Sequence, residues 1–369
     1  MRIGIITIHK IRNFGSALQA YGLQTALQKL GHETTIIDYK FPNKFNRARK
    51  HRDFRTLLRD LLNDAGLLKY INPEVKCFSE FHKLFKLTKT YTSPNSLCEK
   101  PPKFDDYMTG SDPVWNPIHT NGDTTFLLDF VPRGGKKIAY AASFACKSLS
   151  NDIACRFSSY LKEYNFVGVR EHNGKILYEN LTGKTATVVL DPSLLLTLED
   201  WSKVIEGYKN PWNGKDYVLA YFLTYAYNPF PYAFQLAEYV ANYFNKELIC
   251  LCLEPNIAEY RNYLPNAKLV QKVGPIQFIQ LFKEASFVIT TSFHGTAFAS
   301  NFCKPLFSII NSNSEDDRQS SFLKSIDRED AVVACGSHFE ELNINQAPSL
   351  YKLEKMREKS YSFLKNSLQ

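Results

Sequence analysis

The sequence predicts an α/β fold in which two Rossmann-like domains face each other across a cleft. Short apolar runs of the kind found in buried parallel strands alternate with helical patterns along most of the 369 residues. A stretch rich in Gly, Pro and Asn at 207–214 separates two sets of such units and suits a hinge. A hydrophobic content of 44% in a chain of this length is sufficient for two cores.

The first domain is predicted at 1–206 and starts with a βαβ unit. A strand at 3–8 leads into the loop Asn13-Phe14-Gly15-Ser16, with Ser16 as the predicted N-cap of a helix. Apolar residues at helical spacing continue to Leu30, and Gly31 ends the helix before a strand at 34–37. After a basic helical insertion at about 40–100, further strands are predicted at 107–109, 138–142, 166–169 and 187–190.

The second domain is predicted at 215–345 by the same alternation. Its strands are expected at 217–223, 248–253, 287–290 and 306–310, and its helices at 232–244, 276–284 and 296–301. The remaining segment, 346–369, is predicted to be helical at 351–368. This charged helix either packs back on the first domain or lies free.

Charge and composition exclude several classes of protein. The net charge is +8, and basic residues concentrate between Lys40 and Arg59. This basic run is either a solvated face or a surface for anionic lipid or a phosphorylated substrate. Nucleic acid is not expected as a partner, because the chain has no zinc finger, RRM or KH pattern and no stacking aromatics interleaved with the basic run.

The cellular location and the redox state follow from simpler features. No apolar run approaches the roughly 18 to 20 residues of a membrane span, and the apolar N-terminal run is too short for a signal peptide. A cytoplasmic location is therefore expected. The eight Cys residues form no CxxC pair, which favours reduced thiols over disulfides or zinc.

The segment Ser292-Phe293-His294-Gly295-Thr296 is the strongest candidate for chemistry. It joins the apolar strand at 287–290 to a new helix, where helix N–H groups and the helix dipole favour an anion. A histidine at this place can exchange protons near neutral pH. The alternative is a histidine that caps the helix or forms hydrogen bonds in the core.

Several further blocks follow one another in a recognisable order along the chain. They are Asn13-Phe14-Gly15, Leu18-Gln19-Ala20-Tyr21, Gly110-Ser111-Asp112, Val114-Trp115-Asn116, Tyr140-Ala141-Ala142-Ser143-Phe144, Val169-Arg170-Glu171, Leu190-Asp191-Pro192-Ser193, Val273-Gly274-Pro275 and the His294 segment. Together these blocks resemble the polysaccharide pyruvyl transferase family, over residues 3 to about 318. The chain departs from the pattern at Pro113, where Gln is expected, and at Ala145, where Gly is common. Some relatives also carry Arg where this chain has Ser292.

The resemblance implies a two-domain fold like that of GT-B glycosyltransferases. It also implies transfer of a pyruvyl group from phosphoenolpyruvate to a sugar of a polysaccharide or its precursor, usually as a cyclic ketal. Phosphoenolpyruvate is then a co-substrate, and neither a cofactor nor a metal is required. The acceptor is a sugar, either free or lipid-linked, and a lipid-linked acceptor fits peripheral contact with an anionic membrane.

The implied donor site uses cations and helix N–H groups. His294 fits the acid that protonates the enol carbon of the donor. Arg170 is assigned to the carboxylate or phosphate of the donor, with an ion pair to Glu171 or another acid as the alternative. Ser292 is also assigned to donor binding, and Arg318 could supply the positive charge that Ser292 lacks. The Gly295-Thr296 backbone could hold phosphate.

The implied acceptor site uses residues of the first domain. Asp112 is either a base for the acceptor hydroxyls or part of an Asx turn or cap. Trp115 is either a sugar platform or a core aromatic. Asn13, Gly15 and Ser16 either face the acceptor or form a tight βα connection. Asp191 is either an acceptor ligand or part of a structural turn before Pro192, and the turn is favoured.

Two other functions remain open from the sequence. A nucleotide-sugar glycosyltransferase would share the two-domain fold and the basic surface. A non-catalytic carbohydrate-binding relative would keep the fold and lose the chemistry.

Overall fold

The computed structural model describes residues 1–40, 67–224, 226–252 and 257–369. Within these residues the chain divides into two compact units. The first unit contains 1–195, 315–317 and 357–369, and the second contains 196–314 and 318–356. The predicted basic run lies mostly at 41–66, outside the described residues.

The first unit is built on a sheet of six parallel strands in the order β2-β1-β3-β4-β5-β6. Four of them are buried along most of their length, as expected for strands that are covered on both faces. The strands are β1 (Arg2–Ile6), β2 (Glu33–Ile36), β3 (Asp106–Thr109), β4 (Lys136–Ala142), β5 (Phe166–Val169) and β6 (Thr187–Val188). The helices are α1 (Phe14–Lys29), α2 (Pro73–His82), α3 (Pro94–Glu99), α4 (Pro117–Thr120), α5 (Asn151–Leu161) and α6 (His172–Thr182).

The first helix begins earlier than the sequence predicts. Asn13 is the N-cap of α1, since its side chain accepts a hydrogen bond from the Ser16 amide at 3.1 Å. Ser16 therefore lies in the first turn and is not the cap. Gly31 follows the helix at φ +84°, in the left-handed region that glycine adopts without strain.

The second unit has its own six-stranded parallel sheet, in the order β12-β11-β10-β7-β8-β9. Its strands are β7 (Tyr217–Tyr221), β8 (Glu247–Leu251), β9 (Lys268–Val270), β10 (Phe287–Thr290), β11 (Leu306–Ile310) and β12 (Val332–Ala334). Its helices are α7 (Leu198–Ile205), α8 (Tyr232–Tyr243), α9 (Ile257–Tyr263), α10 (Pro275–Glu284), α11 (Phe293–Asn301) and α12 (Arg318–Ser325). The predicted α/β class with two domains on parallel sheets is confirmed.

The boundary between the units lies at Leu195/Leu196, before the predicted hinge. Helix α7 belongs to the second unit because Trp201 packs on Phe298 of α11, with ring centroids 5.2 Å apart. The Asn301 side-chain amide also donates to the Leu196 carbonyl at 2.8 Å. The Gly- and Pro-rich stretch 207–214 is thus a loop within the second unit.

The last helix, α13 (Tyr351–Ser367), is shared between the two units by its contacts. Its residues from Arg357 onward group with the first unit. Arg357 Nε donates to the Leu194 carbonyl at 2.7 Å, and the Leu190 amide donates to Ser360 Oγ at 3.0 Å. Within the described parts of the chain, no helix has the length and apolar character needed to span a membrane.

Candidate active-site residues

Buried polar side chains gather where the strands of the first sheet end. Thr7 follows β1, Ser111 and Asp112 follow β3, Arg170 follows β5, and Asp191 follows β6. All of these side chains are buried. Because the carboxyl ends of parallel strands share one edge, residues distant in sequence meet there.

Asp112 lies at the centre of this group. The Ser16 hydroxyl donates to Asp112 Oδ2, and Arg170 Nη1 is 4.0 Å from Asp112 Oδ1. Its backbone has φ +85°, a conformation that costs a non-glycine residue about 1–3 kcal/mol. The Val114 and Ser143 amides donate to the Asp112 carbonyl at 2.6 and 3.2 Å and hold this conformation. Strain of this kind is concentrated at functional sites, which favours the chemical interpretation of Asp112.

Arg170 forms the ion pair that the sequence left as an alternative, but with Asp191 and not with Glu171. Its Nη1 donates to Asp191 Oδ2 at 3.0 Å, and Ser111 Oγ donates to the same carboxylate oxygen at 2.8 Å. The Ser193 amide and hydroxyl donate to Asp191 Oδ1 at 2.9 and 2.7 Å. Asp191 therefore forms the predicted turn and also fixes the position of the Arg170 guanidinium.

Glu171 stabilises the loop that follows β4. Its Oε1 accepts hydrogen bonds from the Phe144 and Ala145 amides at 2.9 and 3.2 Å and from Ser143 Oγ at 3.0 Å. Ala145, where the family commonly has Gly, adopts φ +50°. Glu171 therefore holds the loop after β4 in a left-handed turn that glycine would adopt at lower cost.

Trp115 is a core aromatic, which corrects its assignment as a sugar platform. Its side chain has no exposed surface and packs against Phe144, Tyr164 and Tyr178, with ring centroids 5.2 to 6.3 Å apart. Its Nε1 lies 3.4 Å from the Phe126 carbonyl. A ligand cannot stack on a ring that is enclosed in this way.

Asn13, Gly15 and Ser16 were predicted either to face the acceptor or to form a tight βα connection, and they have different roles in the structure. Asn13 caps the helix, and Gly15 is buried in its first turn, as a tight βα connection requires. Ser16 contacts the catalytic candidate Asp112. Of these three predicted acceptor ligands from the loop, Ser16 is thus the one that the structure brings to Asp112.

A second polar group at this edge was not predicted from the sequence. His9 Nδ1 lies 3.0 Å from the Thr7 carbonyl and Nε2 lies 3.2 Å from Asp38 Oδ1, with both residues buried. Burial alone would raise the pKa of Asp38, but hydrogen bonds from His9, Lys10 and Thr90 outweigh it and hold this pKa well below its usual range. Nearby, burial lowers the pKa of His82 to about 4.

In the second unit, the Gly295 and Thr296 amides, which were predicted to hold phosphate, donate to Ser292. The Gly295 amide donates to Ser292 Oγ at 3.3 Å, and the Thr296 amide donates to the Ser292 carbonyl at 2.9 Å. Ser292 is thus the N-cap of α11. Gly295 is required for packing, since a Cβ there would lie 2.4 Å from Thr290 Oγ1.

His294 is the second residue of α11 and is 8% exposed, with its ring edge against Phe293. Arg318, 7% exposed, begins α12. The two helices are joined through Ser308 of β11, whose hydroxyl lies 2.7 Å from both Thr296 Oγ1 and Gln319 Nε2. The structure therefore places the predicted acid and the predicted cation on two connected helices. No group of three or more His, Cys, Asp or Glu residues in the described ranges could hold a metal ion.

Comparison with known proteins gives the family and the fold. The sequence profile of the family described as polysaccharide pyruvyl transferase matches residues 13–314. A search of curated protein sequences finds no match. The fold is similar to solved structures of UDP-GlcNAc 2-epimerase. The Neisseria meningitidis protein has 13% identity, TM-score 0.57 and coverage of 100% of this chain and 99% of its own. The Rickettsia bellii protein has 9% identity, TM-score 0.53 and coverage of 99% and 96%. These likenesses show a GT-B-like fold.

Proposed function

Because the chain belongs to the polysaccharide pyruvyl transferase family, we propose that it transfers the pyruvyl group of phosphoenolpyruvate to a sugar and closes a cyclic ketal. The acceptor sugar is part of a polysaccharide or of its precursor. The observation that carries this proposal is His294, a nearly buried histidine in the first turn of a helix that follows a central parallel strand. A helix N-terminus at a strand end is favourable for an anionic donor.

In the proposed reaction, protonated His294 delivers its proton to the methylene carbon of phosphoenolpyruvate. The central carbon becomes oxocarbenium-like, and a sugar hydroxyl adds to it with loss of its proton. Cleavage of the bond between this carbon and the phosphate oxygen then releases phosphate. The second hydroxyl adds to the same carbon, loses its proton and closes the ketal. The Arg318 guanidinium is suited to a carboxylate or phosphate of the donor, because it can bind either in a bidentate manner.

Asp112 is proposed as the base that takes the proton of an acceptor hydroxyl. The hydrogen bond from Ser16 leaves Asp112 Oδ1 available for this purpose and fixes the orientation of the carboxylate. A sugar hydroxyl is a poor nucleophile until its proton is removed, so a positioned carboxylate is expected to accelerate the addition.

Phosphate release tests the proposal directly. The protein, incubated with phosphoenolpyruvate and a panel of free and lipid-linked oligosaccharides, should release inorganic phosphate only when an acceptor is present. His294→Gln should reduce turnover by roughly 10²- to 10⁴-fold and leave donor binding intact. His338→Gln, an exposed histidine of the same unit, is the matched control and should be fully active. Equal turnover in both variants would remove His294 from the mechanism.

The same assay discriminates between the proposal and its two rivals. The Neisseria meningitidis epimerase was solved with UDP-GlcNAc, so a nucleotide-sugar donor is the first alternative. A thermal shift with nucleotide sugars but not with phosphoenolpyruvate would support a glycosyltransferase. Binding of oligosaccharide without phosphate release from any donor would support a non-catalytic relative.

Contact with an anionic membrane is proposed as a second property, for a lipid-linked acceptor in the cytoplasm. Residues 41–90 carry twelve basic and five acidic side chains, a net charge of +7 out of +8 for the whole chain. Next to the basic run, Leu67, Tyr70 and Ile71 are exposed. Such a surface should bind anionic vesicles at low salt and release them as screening increases. Replacing Arg47, Arg49, Lys50 and Arg52 with Gln should weaken vesicle binding and spare turnover on a small soluble acceptor.

A further inference from the structure

We infer that Arg170 is a positioning residue for Asp112, in place of the donor contact that the sequence predicts for it. The inference rests on the proposed function, because it assigns Arg170 to the acceptor half of that reaction. It starts from one juxtaposition: the Arg170 guanidinium lies between the carboxylates of Asp191 and Asp112, at 3.0 and 4.0 Å.

Arg170 is held in place by its ion pair with Asp191. Its ion-pair partner Asp191 is buried and receives hydrogen bonds on both carboxylate oxygens, from Ser111, Ser193 and Arg170 itself. These donors fix the orientation of the Asp191 carboxylate. A guanidinium bound to a fixed carboxylate has little freedom to turn toward a ligand that arrives later.

The charges of Arg170, Asp112 and Asp191 determine which ligands this part of the site attracts. One guanidinium lies among two carboxylates, so Arg170, Asp112 and Asp191 together carry a net charge of −1 when ionised. An incoming carboxylate or phosphate would be attracted by Arg170 and repelled by both acids at similar distances in a buried environment. A neutral sugar hydroxyl has no such penalty, and it can donate a hydrogen bond to Asp112.

Asp112 must be held in one orientation to accept the proton of an acceptor hydroxyl. Ser16 donates to its Oδ2, and the positive charge of Arg170 lies on the side of Oδ1, so each carboxylate oxygen faces a different partner. In the described part of the chain, Arg170 faces Asp112 from the end of β5, and Asp191 lies behind Arg170. Arg170 and Ser16 therefore hold the carboxylate in one orientation for the acceptor hydroxyl.

A double-mutant cycle in phosphate release tests the inference. Arg170→Gln should lower kcat by about 10- to 100-fold and leave KM for phosphoenolpyruvate within about 3-fold. In the Asp112→Asn background, where the base is already lost, Arg170→Gln should lower kcat by less than about 3-fold more. Arg170→Lys, which keeps the charge, should recover part of the lost kcat. A large rise in the donor KM, or losses that multiply in the double variant, would overturn the inference in favour of a donor contact.

The outcome is separable from that of the proposed function. Donor-dependent phosphate release by the unmodified protein tests the function alone, and additive losses in an active enzyme reject only the role of Arg170. If the unmodified protein releases no phosphate, the same four proteins are compared by urea unfolding. Coupling between Arg170→Gln and Asp112→Asn in unfolding free energy would then support the contact, and strict additivity would reject it. Ser148→Ala, a substitution outside this group, should show no coupling with Asp112→Asn.

Discussion

Gly295→Ala tests whether packing fixes the start of α11 and thereby His294. A Cβ at position 295 would lie 2.4 Å from Thr290 Oγ1 and 3.0 Å from Thr290 Cβ. Thr290 cannot move aside cheaply, because it is buried in the central strand β10 and its hydroxyl donates to the Tyr221 carbonyl at 2.6 Å. The same oxygen accepts from the Ser292 amide at 3.0 Å, directly before the helix.

The magnitude follows from these contacts. Overpacking of a well-packed core costs about 1–3 kcal/mol, and each hydrogen bond of Thr290 that is broken adds about 0.5–1.5 kcal/mol. We therefore expect a loss of about 2–4 kcal/mol in the free energy of unfolding. At about 2–4 °C per kcal/mol for a unit of this size, the melting temperature should fall by roughly 5–15 °C.

The assay combines thermal unfolding with phosphate release measured well below the melting temperature. Displacement of α11 also moves His294, so turnover should fall even where the variant remains folded. The matched control is Gly295→Ala in a Thr290→Ala background, in which the hydroxyl and methyl contacts are gone. There the substitution should cost less than it does in the unmodified protein. A melting temperature within about 1 °C of the unmodified protein would refute the packing argument.

Three further predictions concern Trp115, His82 and the dependence of activity on metal ions. Trp115→Ala should reduce the free energy of unfolding by about 3–5 kcal/mol. Trp115→Phe should remain folded with an unchanged acceptor KM. A strongly raised acceptor KM in the folded Phe variant would restore the sugar-platform interpretation. Because burial lowers the pKa of His82 to about 4, the unfolded chain binds more protons than the folded chain between about pH 6.5 and 4, and stability should fall as pH falls through this range. His82→Phe should remove about 1–2 kcal/mol of the loss between pH 7 and 5 in urea unfolding, and an identical pH dependence in both proteins would contradict this assignment. Chelator-treated protein should keep its phosphate release, and recovery of lost activity with one specific divalent ion would count against the acid mechanism.

The sequence predicts the strands best where apolar runs have clear ends. The strands at 166–169, 287–290 and 306–310 have the predicted bounds, because each is a buried run flanked by polar residues or proline. The three-residue strands β9 and β12 were missed, since edge strands this short carry little pattern. The α11 helix begins three residues before the predicted start because Ser292, and not a later residue, caps it.

The domain boundary was harder to predict because a loop rich in Gly and Pro does not itself define a boundary. The stretch 207–214 has the composition of a hinge, yet the contacts of Trp201 and Asn301 place the preceding helix α7 in the second unit. Those contacts join residues about one hundred positions apart, which no local pattern contains. Composition therefore identified a loop, and long-range packing determined which unit it belongs to.

In the candidate site too, the residue types can be predicted from the sequence, but the contacts between them cannot. The sequence identifies Asp112, Arg170 and His294 as chemical groups at strand ends, but it cannot give the partner of a buried charge. That partner changes the interpretation of Arg170: its ion pair with Asp191 reduces the positive charge that a donor would meet in the first unit. In the second unit, His294 and Arg318 lie on helices joined through Ser308. They are the groups proposed above for the anionic donor. We therefore expect donor KM to respond to Arg318 and acceptor chemistry to respond to Arg170, although both residues are buried arginines.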